Sequence, residues 1–540
     1  MCGIAGMVDF NRNIQEMRNT LTRMVKTLEK RGPDSEGEYY SKNVLLGHRR
    51  LIVVDPEGGK QPMIKIVGGK KYVIVYNGEL YNTEDLRKEL LSENYTFDAY
   101  SDTEVLLTAY IAWGIDAINK LNGIFAFAIY DEDKNQVFLA RDPMGVKPLF
   151  YSIKGSEIIF GSEIKTILAH PEVKAEVDRD GLTELFALGP SVAPGSAVYK
   201  GIKEIAPANC MLITKGNVKV WEYFKVKAEE LNETVDESIE HARSLLVDAI
   251  KRQLVGDVPV CTFLSGGLDS SAISAIAAEE FKNRGKQLTT YSIDYEGNDK
   301  YFKASLFQPT SDQQFAEFMA KEINSDHRTV ILKHEDLAKA LKEATIARDL
   351  PGMADIDSSL LLFCKEIRKD FVVGLSGECA DELFAGYPWF THDEMIYANT
   401  FPWSRSVGER KTVLNKNLQN LKIEIILINI QSFTNKNKTF RVFGKKKLRV
   451  WHVREHLVRV HPLHHLHHLL VQPPLCLIAR LLSRHLGLQQ RYAIILVLQL
   501  SRKYFWINKG RWCRRRRNRP GATTQTDQTS LLLWNRLNRK

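Results

Sequence analysis

The chain has 540 residues, 44% of them hydrophobic and 26% charged, with a formal net charge of +10. This length accommodates roughly three or four domains of ~150 residues, and the composition is ordinary for a globular protein. Seven cysteines without paired spacing exclude a disulfide framework and point to a reducing, cytoplasmic setting; no basic-then-apolar leader and no apolar run of membrane-spanning length is visible.

The charge is unevenly placed. Residues 411–540 hold 27 of the 75 Lys and Arg residues but only three of the 65 acids, so that segment is +24 and residues 1–410 are −14. Eight of the 14 histidines lie between His452 and His485. The chain is therefore read in three parts, 2–225, 226–410 and a basic, His-rich tail at 411–540.

In the first part, Gly3 to Phe10 reads as a buried strand. Cys2 precedes it. Removal of Met1 would give Cys2 a free α-amino group, with an ordinary pKa of about 7.7–8.0, beside its thiol. Such a residue carries both a nucleophile and its base, although a small buried cysteine is the plainer reading. Met17, Leu21, Met24, Val25 and Leu28 recur at helical spacing, which predicts a helix to about Lys30, stopped by Arg31-Gly32-Pro33-Asp34. Strands are expected around Val44–Leu46, Tyr72–Tyr76, Ile124–Tyr130, Gln136–Ala140 and Glu157–Phe160, with helices at Thr83–Leu91 and Thr103–Ala112. Together they imply a layered α+β domain. Asn77-Gly78 has the composition of a turn, and Asp102 that of a helix N-cap.

In the second part, Val235–Leu254 is an amphipathic helix. Val258–Leu264 is a short apolar run, as in a buried parallel strand. Ser265-Gly266-Gly267-Leu268-Asp269-Ser270-Ser271 follows, then a helix at Ala272–Phe281. Strand, Gly-rich turn and helix in that order form a phosphate cradle. Strands at Leu288–Asp294, Arg328–Leu332 and Phe371–Leu375 alternate with helices at Phe315–Ile323, Ala338–Ala347 and Leu360–Ile367. This alternation predicts a doubly wound sheet with its site at the strand C-terminal ends.

Seven ordered blocks carry a family resemblance. They are the Cys2–Gly6 opening, Arg31–Asp34, Gly47-His48-Arg49-Arg50-Leu51, Tyr76-Asn77-Gly78-Glu79, Ser101-Asp102-Thr103-Glu104, Arg141–Leu149 and Gly161-Ser162-Glu163-Ile164-Lys165. This region resembles the class II glutamine amidotransferases, which implies a four-layer αββα N-terminal-nucleophile hydrolase domain. It also implies that Cys2 attacks the glutamine side-chain amide, releasing ammonia and glutamate through a thioester. Asn77 and Gly78 would stabilise the oxyanion, Arg50 the substrate α-carboxylate, and Asp102 with Glu79 its ammonium.

The Ser-Gly-Gly-Leu-Asp-Ser stretch looks like the pyrophosphate loop of the ATP pyrophosphatases. With Ser376-Gly377-Glu378-Cys379-Ala380-Asp381-Glu382 behind it, the chain resembles the glutamine-hydrolysing asparagine synthetase family. That resemblance implies a doubly wound α/β domain, ATP as substrate and Mg²⁺ as cofactor. Aspartate would be activated as β-aspartyl-AMP and then take up ammonia passed internally. Leu264 and Ile293 would flank the adenine. Ser265, Gly266, Gly267, Asp269 and Ser270 would hold the phosphates, and Ser376 and Gly377 would contact the nucleotide. Glu378 would act on the intermediate, while Asp269 and Asp381 would bind metal. Cys379 stands where many relatives have glycine and is read as tolerated. Arg348 is an anion contact or a surface salt bridge.

The expected partners are glutamine, aspartate and ATP, with no specific nucleic acid, no membrane, and a homodimer left open. Two other functions stay open: an amidotransferase acting on another carboxylate, and a glutaminase whose synthetase half is inactive. In the tail the resemblance fades after Phe401-Pro402-Trp403. The tail is expected to be irregular, and to bind nucleic acid or metal, to be a frame-shifted or fused segment, or to be a divergent domain. Its near-total lack of acids favours the second reading, under which asparagine formation would be poor.

Overall fold

The computed structural model describes residues 1–227, 232–304, 310–384, 386–387, 407–412, 414–416 and 418. The expectations for the tail lie almost wholly outside these residues.

Residues 1–227 form two stacked antiparallel sheets. The first contains β1 (Gly3–Val8), β2 (Ser35–Tyr40), β3 (Val44–Arg50), β8 (Phe150–Lys154), β9 (Glu157–Gly161) and β10 (Ile202–Glu204), in the order β10-β8-β9-β1-β3-β2. The second contains β4 (Met63–Val67), β5 (Lys70–Leu80), β6 (Gly123–Asp131), β7 (Gln136–Arg141), β11 (Asn209–Thr214) and β12 (Asn217–Glu222), in the order β12-β11-β7-β6-β5-β4. Helices α1 (Arg18–Lys26) and α4 (Ile164–Leu168) cover the outer face of the first sheet. Helices α2 (Thr83–Ser92) and α3 (Asp102–Trp113) cover that of the second. Helix α5 (Arg179–Leu188) follows outside these layers in sequence. The layering is αββα.

The period of two along each strand explains three cores. On β1, Ala5 and Met7 point to α1 and α4, whereas Ile4 and Val8 point into the space between the sheets. On β3, Val44 and Leu46 share that inner space. On β5, Tyr72, Ile74 and Tyr76 face α2 and α3, while Val73 and Val75 face inward. The same alternation carries Cys2, His48, Arg50, Asn77 and Glu79 to the inner side, at one end of the stack. The apolar core thus runs directly into a polar cluster.

The second domain begins with α6 (Val235–Gln253), opened by a capping box between Thr234 and Glu237. Its sheet is fully parallel, with β13 (Val260–Phe263), β14 (Thr289–Tyr295), β15 (Asp326–Leu332) and β16 (Val373–Leu375) in the order β15-β14-β13-β16. Between them run α7 (Leu268–Asn283), α8 (Asn298–Tyr301), α9 (Gln313–Glu322), α10 (His334–Arg348) and α11 (Ala354–Ile367); α12 (Ala380–Phe384) follows β16. The chain winds outward from β13 to β15 and then returns to the other side of β13. Adjacent β13 and β16 therefore define a topological switch point, where such sheets bind ligands.

Three local readings are corrected. Helix α1 ends at Lys26, before the expected Lys30. Asn77-Gly78 is not a turn but lies within β5, paired with Ala126 and Phe125. Ser101, not Asp102, caps α3, accepting the Glu104 N–H.

Candidate functional site

Cys2 lies at the head of β1. Its Sγ donates to the Leu51 carbonyl at 3.6 Å and accepts the Leu51 N–H at 3.4 Å. Burial pushes its pKa up, so the thiol requires a base. Desolvation holds the chain's amino group, carried by Met1, down at about 5. That amine is neutral at pH 7 and can accept a proton.

Asn77 is 1% exposed, and its Nδ2 has no hydrogen-bond partner. A buried donor left unpaired costs about 1–3 kcal/mol, so its persistence marks a place where a ligand oxygen can sit. The strand beneath it is held by His48, whose Nε2 bonds the Tyr76 carbonyl across the two sheets at 3.0 Å. Burial lowers the His48 pKa to about 3, which keeps this imidazole neutral. At Gly78 a Cβ would stand 2.5 Å from the Ile124 carbonyl oxygen, so only glycine lets β6 approach this closely.

Arg50 is buried, and its guanidinium donates to the carbonyls of Val54, Asp55 and Pro56 at 3.1, 2.6 and 2.7 Å. Three of its five donors thus organise the 54–56 turn. Asp102 accepts the Tyr76 hydroxyl at 2.9 Å and the Leu80 N–H at 3.2 Å. Burial raises its pKa against these bonds. Glu79 is raised to about 7 by burial and by the Asp102 charge, with Lys147 opposing. Two acids crowded in this way favour a cation between them.

Lys147 and Arg31 belong to the quoted blocks, but sequence reasoning gave neither a role. Asp142 is wholly buried and accepts the N–H groups of Met144, Val146 and Lys147. Arg141 donates to the carbonyls of Gly145 and Lys147. This folding brings the buried Lys147 ammonium within the electrostatic reach of Cys2 and Glu79, and desolvation lowers its pKa. Arg31 Nε donates to the Cys2 carbonyl at 3.0 Å.

At the switch point, Ser265 and Ser270 hydroxyls meet at 3.0 Å, and Leu268-Asp269-Ser270 form the first turn of α7. Gly266 has φ +80°, and a Cβ there would fall 2.4 Å from Ala316 N at the start of α9. Gly377, after β16, packs so that its Cβ position is 3.2 Å from Ser270 N. The Ser265–Ser271 and Ser376–Glu382 loops are therefore in contact, although Ser270 and Gly377 are 107 positions apart in sequence. Burial and the facing Asp381 raise Asp269 to about 6, and burial also raises Asp381.

Of the expected adenine neighbours, Ile293 is exposed and Leu264 is fully buried, so Ile293 offers the free apolar surface. Glu378 is exposed beside these loops. Cys379 adopts φ +72°, a strained conformation that glycine would take freely. Arg348 pairs with Asp357 at 2.9 Å and donates to the Pro190 carbonyl, which makes it a structural contact.

Comparison with known proteins agrees with this two-site build. The glutamine amidotransferase domain family matches residues 1–224, and the asparagine synthase family matches 241–493. Asparagine synthetase [glutamine-hydrolyzing] 3 of Bacillus subtilis is 55% identical over 420 residues, which cover 78% of this chain and 68% of that protein. The chain belongs to the glutamine-hydrolysing asparagine synthetase family.

Two further relatives are more distant. Asparagine synthetase [glutamine-hydrolyzing] 1 of the same organism is 32% identical, covering 72% of this chain and 59% of its own length. Asparagine synthetase B of Escherichia coli is 28% identical, covering 72% and 65%. The chain thus spans about two thirds of the length of these curated asparagine synthetases. Among the described residues, no helix is long and apolar enough to cross a membrane.

Proposed function

We propose that the chain forms asparagine from aspartate, ATP and glutamine. The single observation that carries this reading is the contact between the two nucleotide loops, Gly377 against Ser270, in the same chain as the Cys2–Asn77 cluster. Cys2, with its own α-amine exposed once Met1 is removed, attacks the glutamine amide carbon. The unpaired Nδ2 of Asn77 and the Gly78 N–H receive the oxyanion. Arg50 takes the substrate α-carboxylate, with Asp102 and Glu79 on its ammonium.

At the second site, the exposed Ile293 borders the adenine. Ser265 to Ser270, with Ser376 and Gly377, hold the phosphates, and Glu378 faces the reacting acyl group. The facing carboxylates of Asp269 and Asp381 fit a divalent cation, and Mg²⁺ there would neutralise charge on departing pyrophosphate. We assign the glutaminase to 2–225 and the ATP-binding part of the synthetase to 226–410, with 411–540 as a separate tail.

A second reading, glutaminase without synthesis, is favoured by the abrupt change to 27 basic and three acidic residues at 411–540. One assay separates the readings. The chain is given glutamine, aspartate and MgATP, and glutamate, asparagine and pyrophosphate are measured. Asparagine and aspartate-dependent pyrophosphate support the proposal. Glutamate alone supports the second reading. Pyrophosphate released only with another carboxylate would point to a different acceptor.

A further inference from the structure

A chain of charges leaves the Cys2 cluster and ends in the other domain. Arg31, which donates to the Cys2 carbonyl, also pairs through Nη1 with Glu163 Oε1 at 3.2 Å. The other carboxylate oxygen of Glu163 meets Lys165 Nζ at 2.7 Å. Lys165 Nζ then reaches Asp349 Oδ1 at 3.0 Å, and its backbone N–H donates to Asp349 Oδ2 at 3.2 Å. The side chains of Arg31, Glu163 and Asp349 are only 13%, 12% and 10% exposed. Pairs this sheltered are weakly screened and hold a fixed geometry, unlike the exposed Lys30–Glu343 pair nearby.

The end of this chain is itself held firmly. Asp349 caps α10 in the left-handed region, φ 65°. Aspartate tolerates that region better than most residues, and its carboxylate is turned back onto α4. Lys165 Nζ also donates to the Ile346 carbonyl, and the Tyr199 hydroxyl to the Asp349 carbonyl. Leu350 packs on the apolar cluster that contains Ile164 and Ile167. The α10–α11 turn is thus docked on the glutaminase domain by an apolar contact as well as by charge.

We infer that Asp349, although part of the synthetase domain, is a positioning residue for the glutaminase. Through Lys165, Glu163 and Arg31 it fixes the carbonyl of Cys2, and so the angle at which the sulfur meets its substrate. Misplacement of a nucleophile by a fraction of an ångström lowers the rate of the chemical step. The groups that hold the substrate's ammonium and carboxylate lie outside this chain, so substrate affinity is untouched. The inference rests on Cys2 being the nucleophile, which loss of glutamate release in Cys2→Ala tests separately.

The test is a double-mutant cycle on glutamine hydrolysis by the full chain, with Asp349→Asn, Lys165→Met and both together. The expected result for each single variant is a kcat lowered about 5–20-fold with KM within twofold. The double variant should lose no more than about twofold beyond either single one, because the relay is already broken. Asp349→Glu should recover part of the rate. The rate of Cys2 alkylation should fall alongside kcat. If Asp349→Asn does not fold, Lys165→Met leaves the left-handed residue in place and carries the same expectation. An unchanged kcat in folded single variants would overturn the inference. So would losses that multiply in the double variant, or a loss confined to thermal stability.

Discussion

The Asp257 carboxylate accepts the Asp55 N–H at 2.9 Å, and the Tyr100 hydroxyl reaches the same oxygen at 2.8 Å. Asp257 lies three positions before β13, and its own N–H returns to the Val53 carbonyl at 2.9 Å. Asp55 lies in the turn whose carbonyls hold Arg50, and Tyr100 lies two residues before Asp102. One acid of the synthetase domain therefore braces both the turn that holds Arg50 and the segment that leads to Asp102.

Asp257→Ala should consequently raise the KM for glutamine. Asp257 and Tyr100 are both exposed, so solvent screens these bonds, and an increase of about two- to threefold is expected, with kcat little changed. Initial rates of glutamate release measure both. An unchanged KM would show that the turn at 54–56 holds Arg50 without help.

Glu79 supplies a pH dependence. Its pKa near 7 reflects burial and the Asp102 charge. A bound ammonium favours the ionised form, so glutamine binds best above that pKa and displaces the proton below it. The KM should rise as pH falls from 8 to 6. Glu79→Gln should abolish this limb and raise KM throughout. The sign for stability is opposite: a carboxyl whose folded pKa is raised loses stability as pH climbs from its unfolded value through 7. Glu79→Gln should therefore raise Tm at pH 8. Asp102→Asn should likewise act on KM more than on kcat, because the substrate's ammonium is present in both ground and transition states.

Removing the unpaired amide donor tests the oxyanion assignment. Asn77→Ala should lower kcat by about 10²–10³, corresponding to roughly 2.7–4 kcal/mol, with KM little changed. Because the donor has no partner to abandon, the variant should keep its Tm. A large loss of Tm with modest loss of kcat would make Asn77 a structural residue.

The strain at Cys379 predicts a direction opposite to that of most substitutions. At φ +72°, a non-glycine residue costs roughly 1–2 kcal/mol, partly offset by the ~0.5–1 kcal/mol of extra chain entropy that glycine loses on folding. Cys379→Gly should leave Tm equal or slightly higher, whereas Cys379→Val should lower it. Thermal melts of the two variants decide the matter, and a lower Tm for the glycine variant would contradict it.

Much of this was legible in the sequence because its signals are local. Apolar runs located β1, β3, β5, β6, β7 and β9, and the strand-glycine-helix order located the turn between β13 and α7. The edge strands β2, β4, β10 and β12 were missed because few of their side chains are fully buried, and the inner strands β8 and β11 were missed as well. Helix α7 begins at Leu268 rather than Ala272 because its first turn is the polar end of the motif itself. Asn77-Gly78 has turn chemistry, but its pairing with β6 overrides it. Arg31, Lys147, Asp257 and Asp349 were given no role at the site for one reason: each meets partners distant in sequence, and no spacing along the chain records such a meeting.

The central claim is that Cys2 hydrolyses glutamine while a separate site in the same chain handles ATP. Its most direct test is glutamate release measured in parallel with ATP binding, for the native chain and for Cys2→Ala. The native chain should release glutamate, and its Met1 should be absent by mass spectrometry. Cys2→Ala should release none and bind ATP as well as the native chain does. Glutamate release that survives in Cys2→Ala would contradict the account.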